Sequence, residues 1–244
     1  SNTDWTAKFY DMNLFYSPNI NGPKTVLETE ESKHIIRVLR KEEGDEILFT
    51  DGKGFFYNCR IIDANAKKCV IEVINKEEGM DIYGCKLHMA IAPTKNITRL
   101  ETFLEKATEI GIHEITPLVC YQSERKKVKI DRLQKIIISA MKQSLKSELP
   151  KLNNAIKFEQ FIKNDFSGQK FIAYIDNGVK MQLSDCMKPN ENILILIGPE
   201  GGFSKEEVKL ATSLGYIPIS LGKSRLRTET AGIVACHTVS MINT

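Results

Sequence analysis

The stretch that most restricts the fold is an uninterrupted apolar run at 193–197, which leads directly into the glycine-rich sequence 198–202. A strand that is apolar on both faces is typical of a parallel sheet covered by helices on each side. Ser204 and Glu207 follow with the spacing of a capping box, so a helix is expected to begin there and to end at Gly215. This order of strand, glycine loop and helix predicts an α/β architecture.

The same alternation extends over residues 84–244. Strands are predicted at 87–92, 115–119, 171–175 and 217–221, and helices at 98–110 and at 131–145. A last helix, with Thr228 as its cap, is predicted to extend to the C-terminus. We therefore expect one domain at 84–244 with a mostly parallel sheet and helices on both faces.

The first third of the chain has a different pattern. Short strands are predicted at 14–16, 46–50, 55–62 and 69–74, with one helix at 30–39. Several short strands and one helix indicate a small β-barrel at 12–76, followed by a charged linker at 75–84 that contains two glycines. Residues 1–11 are polar, lack the apolar stretch of a signal peptide and are left out of the fold prediction.

Two glycine-bearing loops follow predicted strands, at 197–204 and 221–231. Ligands of open α/β sheets bind at such carboxyl strand ends, and glycines let the backbone approach them closely. The second loop contains Gly222-Lys223-Ser224, but a phosphate-binding P-loop needs another glycine at position 217, which is Ile217. The loops therefore indicate a small-molecule site that is not a nucleoside-triphosphate site.

Basic side chains cluster in two places, although the net charge of the chain is only +3. One cluster follows the strand at 115–119 and spans 122–135; the other adjoins the helix at 30–39. One basic patch in each domain is the pattern expected of a protein that binds RNA phosphates. The candidate RNA-binding residues are His34, Arg37, Arg40, Arg125, Lys126, Lys127, Arg132, Lys142 and Lys146.

The sequence lacks the motifs of metal-binding, metalloprotease and dinucleotide-binding sites. The six cysteines are scattered, none forms a CxxC pair, and we expect reduced thiols and no metal. The sequence contains no HExxH motif and no GxGxxG motif. Since no apolar run approaches membrane-spanning length, we expect a cytoplasmic protein without a membrane partner.

The two loops, read as 197–204 (Ile-Gly-Pro-Glu-Gly-Gly-Phe-Ser) and 221–231 (Leu-Gly-x-x-x-Leu-Arg-Thr-Glu-Thr-Ala), resemble the ribosomal RNA small-subunit methyltransferase E family. The resemblance extends from Met12 to the C-terminus and includes the sequences around His34, Glu105, Gln122 and Ala140. It implies a PUA-like β-barrel followed by a SPOUT domain with a deep trefoil knot, and a homodimer. It also implies S-adenosylmethionine as methyl donor and N3 of a uridine in 16S ribosomal RNA, within the assembled small subunit, as acceptor.

Under this resemblance, residue roles can be assigned. Arg227 is the leading catalytic candidate because an arginine would stabilise the negative charge that develops on the base, with Arg125 second and Glu200 as proton acceptor or geometric support. The donor is expected to contact Tyr174, Ile175, Ile197, Gly198, Pro199, Gly201, Gly202, Leu221, Gly222, Leu226, Arg227 and Thr228. Lys142, Lys146, Arg225 and Asn13 depart from the residues usual in the family.

Two alternatives remain from sequence alone. A related knotted methyltransferase could act on a ribose 2′-OH. A PUA-type RNA-binding protein without catalytic activity would explain the basic patches, but it would not explain two glycine loops on one sheet.

Overall fold

The structure, a computed structural model, describes residues 12–176, 178 and 181–244. Its chain divides into two units, of which one extends to Asp81 and also contains Met141–Leu149. The other consists of Ile82–Ala140 and Pro150–Thr244. The sequence placed 141–149 in the middle of the second domain, whereas the structure groups this segment with the first unit.

The first unit contains a five-stranded sheet in the order β1-β3-β4-β5-β2. Strands β1 and β3 are parallel, and the other neighbours are antiparallel. The strands are β1 (Leu14–Tyr16), β2 (Lys24–Val26), β3 (Glu46–Thr50), β4 (Phe55–Asp63) and β5 (Val70–Glu78).

Strand β5 corrects the predicted linker. Residues 75–78 pair with β4 as far as Phe55 opposite Glu78, so they belong to the sheet. These residues are mostly exposed and charged, so they lack the apolar alternation by which a strand is recognised.

The predicted single helix at 30–39 is two helical turns of different type. α1 (Thr29–Lys33) continues as a π-helical turn, His34–Val38. Leu39 donates its backbone N–H to the carbonyl of His34, five residues back, at 3.0 Å. The turn buries Ile35 while His34 and Arg37 stay exposed.

The segment 141–149 completes the first unit through backbone hydrogen bonds. The carbonyl of Ser147 accepts from the Thr50 hydroxyl at 3.1 Å and from the Gly54 N–H at 3.0 Å. Leu149 donates its N–H to the Gly52 carbonyl at 2.9 Å. Leu145, with a φ of 54°, packs against the apolar cluster that includes Leu14 and Leu48.

The second unit contains a seven-stranded sheet in the order β12-β10-β11-β6-β7-β8, with β9 also paired to β7. Every pair in it is parallel. The strands are β6 (Leu87–Ile91), β7 (Glu114–Val119), β8 (Lys151–Leu152), β9 (Ile156–Lys157), β10 (Gln169–Ala173), β11 (Ile193–Ile197) and β12 (Ile217–Ile219).

Helices cover both faces of this sheet, as the apolar run at 193–197 predicted. Leu194 and Leu196 of β11 lie in one core cluster with Phe158 and Tyr216. The helices are α2 (Ile97–Ile110), α3 (Ile130–Gln143), α4 (Phe158–Phe161), α5 (Leu183–Cys186), α6 (Lys205–Ser213) and α7 (Thr228–Asn243).

On the opposite face, α7 lies close to α2. A β-carbon at Gly232 would stand 2.6 Å from the Phe103 ring and 3.0 Å from Ile91, so only glycine permits this approach. The predicted α/β architecture is therefore present. None of the described helices has the length and apolarity needed to cross a membrane.

Candidate active site

The carboxyl ends of β7, β10, β11 and β12 surround a cavity of about 1180 Å³. It lies where ligands of open α/β sheets bind. Eleven of the twelve predicted donor contacts line it, and Glu200 does so as well. These eleven are Tyr174, Ile175, Ile197, Gly198, Pro199, Gly201, Gly202, Leu221, Gly222, Leu226 and Thr228.

Arg227 is the predicted donor contact that does not line the cavity. It is exposed and occupies the N-cap position of α7, between two residues that do line the cavity, Leu226 and Thr228. The backbone at 226–228 therefore borders the site, and the side chain of Arg227 is exposed.

Glycines in both loops leave open space towards the cavity. Gly202 has a φ of 78° and Gly222 a φ of 125°, both in the left-handed region that favours glycine. An added β-carbon at either position would meet nothing within 4 Å. Since both residues line the cavity, the open space is available to a ligand.

Gly201 has a different role from the one the sequence suggested. A β-carbon there would overlap the side-chain oxygen of Gln122, in the loop that follows β7. The sequence attributed this glycine to ligand contact alone, but it also allows the 120–125 loop to pack against the 198–204 loop.

Thr228 joins the two glycine loops. The sequence predicted it as the cap of the last helix, but the N-cap is Arg227, and no side chain caps that end. Thr228 instead donates its hydroxyl to the Gly198 carbonyl at 2.9 Å. This correction makes Thr228 a support of the cavity wall.

Glu207 holds two loops together from a buried position, 5% exposed. One carboxylate oxygen accepts from the Ser204 N–H at 2.8 Å, which completes the predicted capping box. The other accepts from the Tyr121 N–H at 3.1 Å. Its negative charge, after burial, contributes to the raised pKa of the Cys120 thiol.

Glu200 and Arg125 both bind the loop between β6 and α2. Glu200 accepts from the Lys95 N–H at 2.7 Å. Arg125 donates from Nε to the Thr94 carbonyl at 3.0 Å and from Nη2 to the Lys95 carbonyl at 2.8 Å. Two of the guanidinium nitrogens of Arg125 therefore already donate hydrogen bonds to backbone carbonyls of the protein.

The predicted RNA-binding residues fall into two groups. Lys126 and Lys127 are exposed beside Arg125 in the second unit. Arg132 forms a two-bond ion pair with Glu101, at 2.7 and 3.2 Å, so its charge is already partnered.

Lys142 and Lys146 lie in the 141–149 segment and so belong to the first unit. Burial raises the pKa of the Glu31 carboxyl, and the nearby charges of Lys142 and His34 oppose the rise. Lys142 and His34 therefore act on the same carboxyl of the first unit.

Sequence reasoning missed several residues of the cavity. Tyr121 and Gln122 follow β7, so the same strand-end rule could have identified them. The contacts of Arg125 and Glu207 to distant loops had no local signal.

Comparisons with known proteins identify two domain models in the chain. An RNA methyltransferase domain model matches residues 83–240, and an RNA methyltransferase PUA domain model matches residues 27–74. Ribosomal RNA small subunit methyltransferase E of Bacillus subtilis is 30% identical over 239 residues, covering 90% of this chain and 90% of its own.

Solved structures are similar over nearly the whole chain. A probable rRNA-methyltransferase from Porphyromonas gingivalis superposes with a TM-score of 0.89 at 41% identity, covering 95% of this chain and 98% of its own. Ribosomal RNA small subunit methyltransferase E from Neisseria gonorrhoeae, bound to S-adenosyl methionine, has a TM-score of 0.85 at 26% identity, covering 94% and 97%.

Proposed function

Because the chain belongs to the ribosomal RNA small subunit methyltransferase E family of RNA methyltransferases, we propose that it transfers a methyl group from S-adenosylmethionine to N3 of a uridine in 16S ribosomal RNA. The observation that carries the proposal is the cavity bordered by two glycine loops that Thr228 joins through Gly198. A relative with 26% identity was crystallised with this donor bound.

The residues present fit the donor. Open space beside Gly202 and Gly222 admits a ligand against the backbone, and Ile197 and Leu226 offer apolar contact. Backbone groups of 197–202 and 221–228 would hold it, with Tyr174 and Ile175 beside it. When bound, the sulfonium supplies an activated methyl group, so the protein must chiefly align donor and acceptor.

The acceptor needs charge stabilisation rather than a strong nucleophile. Uridine N3 must lose its proton, for which the Glu200 carboxylate is our candidate acceptor, and the base then carries negative charge on its oxygens. Arg227 is our candidate for stabilising that charge, because it is exposed at the edge of the cavity. Glu200 and Arg125 would position the β6–α2 loop through Lys95.

Two architectural features are part of the proposal. The first unit would form a PUA-like barrel that docks RNA through His34, Arg37, Arg40 and Lys142. The second would form a trefoil knot. Strand β12 lies at the edge of the sheet, next to β10, and β11 is the next strand. After β12 the chain must cross the end of β10, because α7 begins beside Gly198, which follows β11. The chain would act in the cytoplasm as a homodimer on the assembled small subunit, without a metal.

The decisive experiment identifies the methylated atom. Small subunits from cells that lack this activity would be incubated with protein, donor and a metal chelator, and the RNA digested to nucleosides for mass spectrometry. We expect 3-methyluridine, and Gly222→Val should abolish it because a side chain at this φ is strained and distorts a loop that lines the cavity. A 2′-O-methyl product would show that the methyl group goes to the ribose. RNA binding without any methylated product would indicate an RNA-binding protein without catalytic activity.

A further inference from the structure

Tyr121 presents a large ring to solvent at the edge of the cavity. The residue is 79% exposed and lines the cavity at the carboxyl end of β7. A tyrosine with this exposure contributes little to the core, so its ring is available for a ligand.

The backbone beneath the ring is held firmly. Tyr121 N–H donates to buried Glu207 at 3.1 Å. On one side of it, Cys120 N–H donates to the hydroxyl of Ser123 at 2.9 Å, and Ser123 N–H returns a bond to the Cys120 carbonyl at 3.1 Å. Ser123, like Glu207, is 5% exposed. The ring therefore extends from a fixed turn and loses little backbone freedom on binding.

The position of the turn separates it from the second glycine loop, although Gln122 packs against Gly201 of the first. The sheet order β12-β10-β11-β6-β7 puts β7 four strands from β12, roughly 19 Å at the usual strand spacing. The cavity of about 1180 Å³ exceeds the range of roughly 300–1,000 Å³ common for one small-molecule ligand. A second group can therefore lie at the β7 end while the donor occupies the glycine loops.

We propose that Tyr121 is the stacking platform for the acceptor, an unpaired pyrimidine base turned out of the RNA. This inference rests on the proposed function and names the subsite where its substrate base binds. Aromatic side chains bind unstacked RNA bases in this way, and enzymes that modify a base must take it out of the stack. Exposed Lys126 and Lys127 follow in the same loop, so a polyanion suits this surface better than an apolar protein partner.

The first test is kinetic. Tyr121→Ala should raise KM for unmethylated small subunits roughly ten-fold or more, in line with the removal of one base–aromatic stack. Tyr121→Phe should retain the ring and the wild-type KM. Calorimetric affinity for S-adenosylmethionine should be the same in all three proteins. An unchanged KM in Tyr121→Ala would overturn the inference, as would an altered sedimentation coefficient, which would make the ring a contact between copies of the chain.

The second test does not depend on catalysis. Trp5, the single tryptophan of the chain, would be replaced by Phe, and Tyr121→Trp would serve as a fluorescent reporter. A ten-nucleotide oligouridylate should quench the new tryptophan, whereas an abasic ribose-phosphate oligomer of equal length should not. Leu214→Trp is the matched control, because Leu214 is exposed and precedes β12 at the opposite sheet edge.

The two tests separate the two proposals. Equal quenching by both oligomers would show that phosphates alone are bound and would overturn the stacking role. Quenching by oligouridylate alone, without 3-methyluridine in the digest, would support the base subsite and reject the proposed reaction.

Discussion

The hydroxyl of Thr228 and the carbonyl of Gly198 are 2.9 Å apart, and this hydrogen bond connects the first residue of α7 to the loop after β11. Thr228 is 5% exposed, so solvent cannot easily replace the bond if the hydroxyl is removed. The relative position of the two glycine loops depends on this contact.

Thr228→Val should weaken donor binding several-fold and reduce the free energy of unfolding by about 0.5–1.5 kcal/mol, because the half-buried Gly198 carbonyl loses its partner. Calorimetry with S-adenosylmethionine and urea unfolding measure the two effects. Thr102→Val is the control, since its hydroxyl bonds within an exposed helical turn. Equal donor affinity in both variants would show that the loops keep their positions without this bond.

Neutralising Arg37 and Arg40 to Gln should weaken RNA binding and flatten its salt dependence, by about one unit of slope for each phosphate that the protein no longer binds. Filter binding at several salt concentrations measures this. Arg60→Gln removes an exposed charge already paired with Glu46 in the same unit and should leave the slope unchanged. Normal binding by the double variant at every salt concentration would mean that the first unit does not dock RNA through this patch.

Arg227→Gln should lower kcat by about 100-fold or more with little change in RNA affinity, because its interaction with the base strengthens only as charge develops there. Arg125→Gln should instead lower the melting temperature, since it removes the bonds to the Thr94 and Lys95 carbonyls. Full turnover by the Arg227 variant would transfer the charge-stabilising role to Arg125 or to backbone N–H groups.

His88 should make the protein less stable in mild acid. Burial lowers the pKa of His88, and the charge of Lys151 adds to this while Glu114 opposes it. As the pH falls below the ordinary histidine value, the unfolded chain binds a proton that the folded chain does not. The free energy of unfolding therefore decreases until the pH reaches the lowered pKa of the folded state.

The measurement is urea unfolding between pH 7 and pH 5. His88→Gln should show a shallower decline in stability than wild type. Parallel curves for wild type and His88→Gln would contradict the assignment.

The outer face of α7 is our candidate dimer contact. Gly232, Ala235, Cys236 and Val239 are buried within the chain, while Met241 on the same helix is 67% exposed. Met241→Glu should shift sedimentation at low concentration towards the monomer and reduce activity. Val26→Glu, at an exposed position of β2, serves as control. A wild-type chain that is an active monomer would refute the dimer.

Local signals in the sequence were sufficient for the glycine loops. The apolar strand before Gly198, the capping box at Ser204 and the glycine at 222 are each recognisable within a few residues, and they locate the cavity correctly. The second bond of Glu207, to Tyr121, joins residues 86 positions apart, so nothing near Glu207 in the sequence indicates it. Thr228 was misassigned as a cap for the same reason, because its actual partner Gly198 lies 30 positions away.

Some details of the fold could not be predicted because the residues involved carry no recognisable pattern. Residues 75–78 pair in a sheet but carry charges suited to solvent. The change from α to π hydrogen bonding after Lys33 involves no residue that breaks helices. The knot was expected from family resemblance alone, because general rules of chain topology argue against threaded chains.

The segment 141–149 has a consequence for synthesis on the ribosome. The strands of the first unit are all made once Glu78 has been added, yet the Thr50 hydroxyl and the Gly54 N–H can bind the Ser147 carbonyl only after α2 and α3 have been translated. The first unit therefore lacks these hydrogen bonds until the segment 141–149 has been synthesised. Expressed as a fragment ending at residue 81, it should be less stable than within the whole protein, and a separate peptide of residues 141–149 should restore part of the deficit.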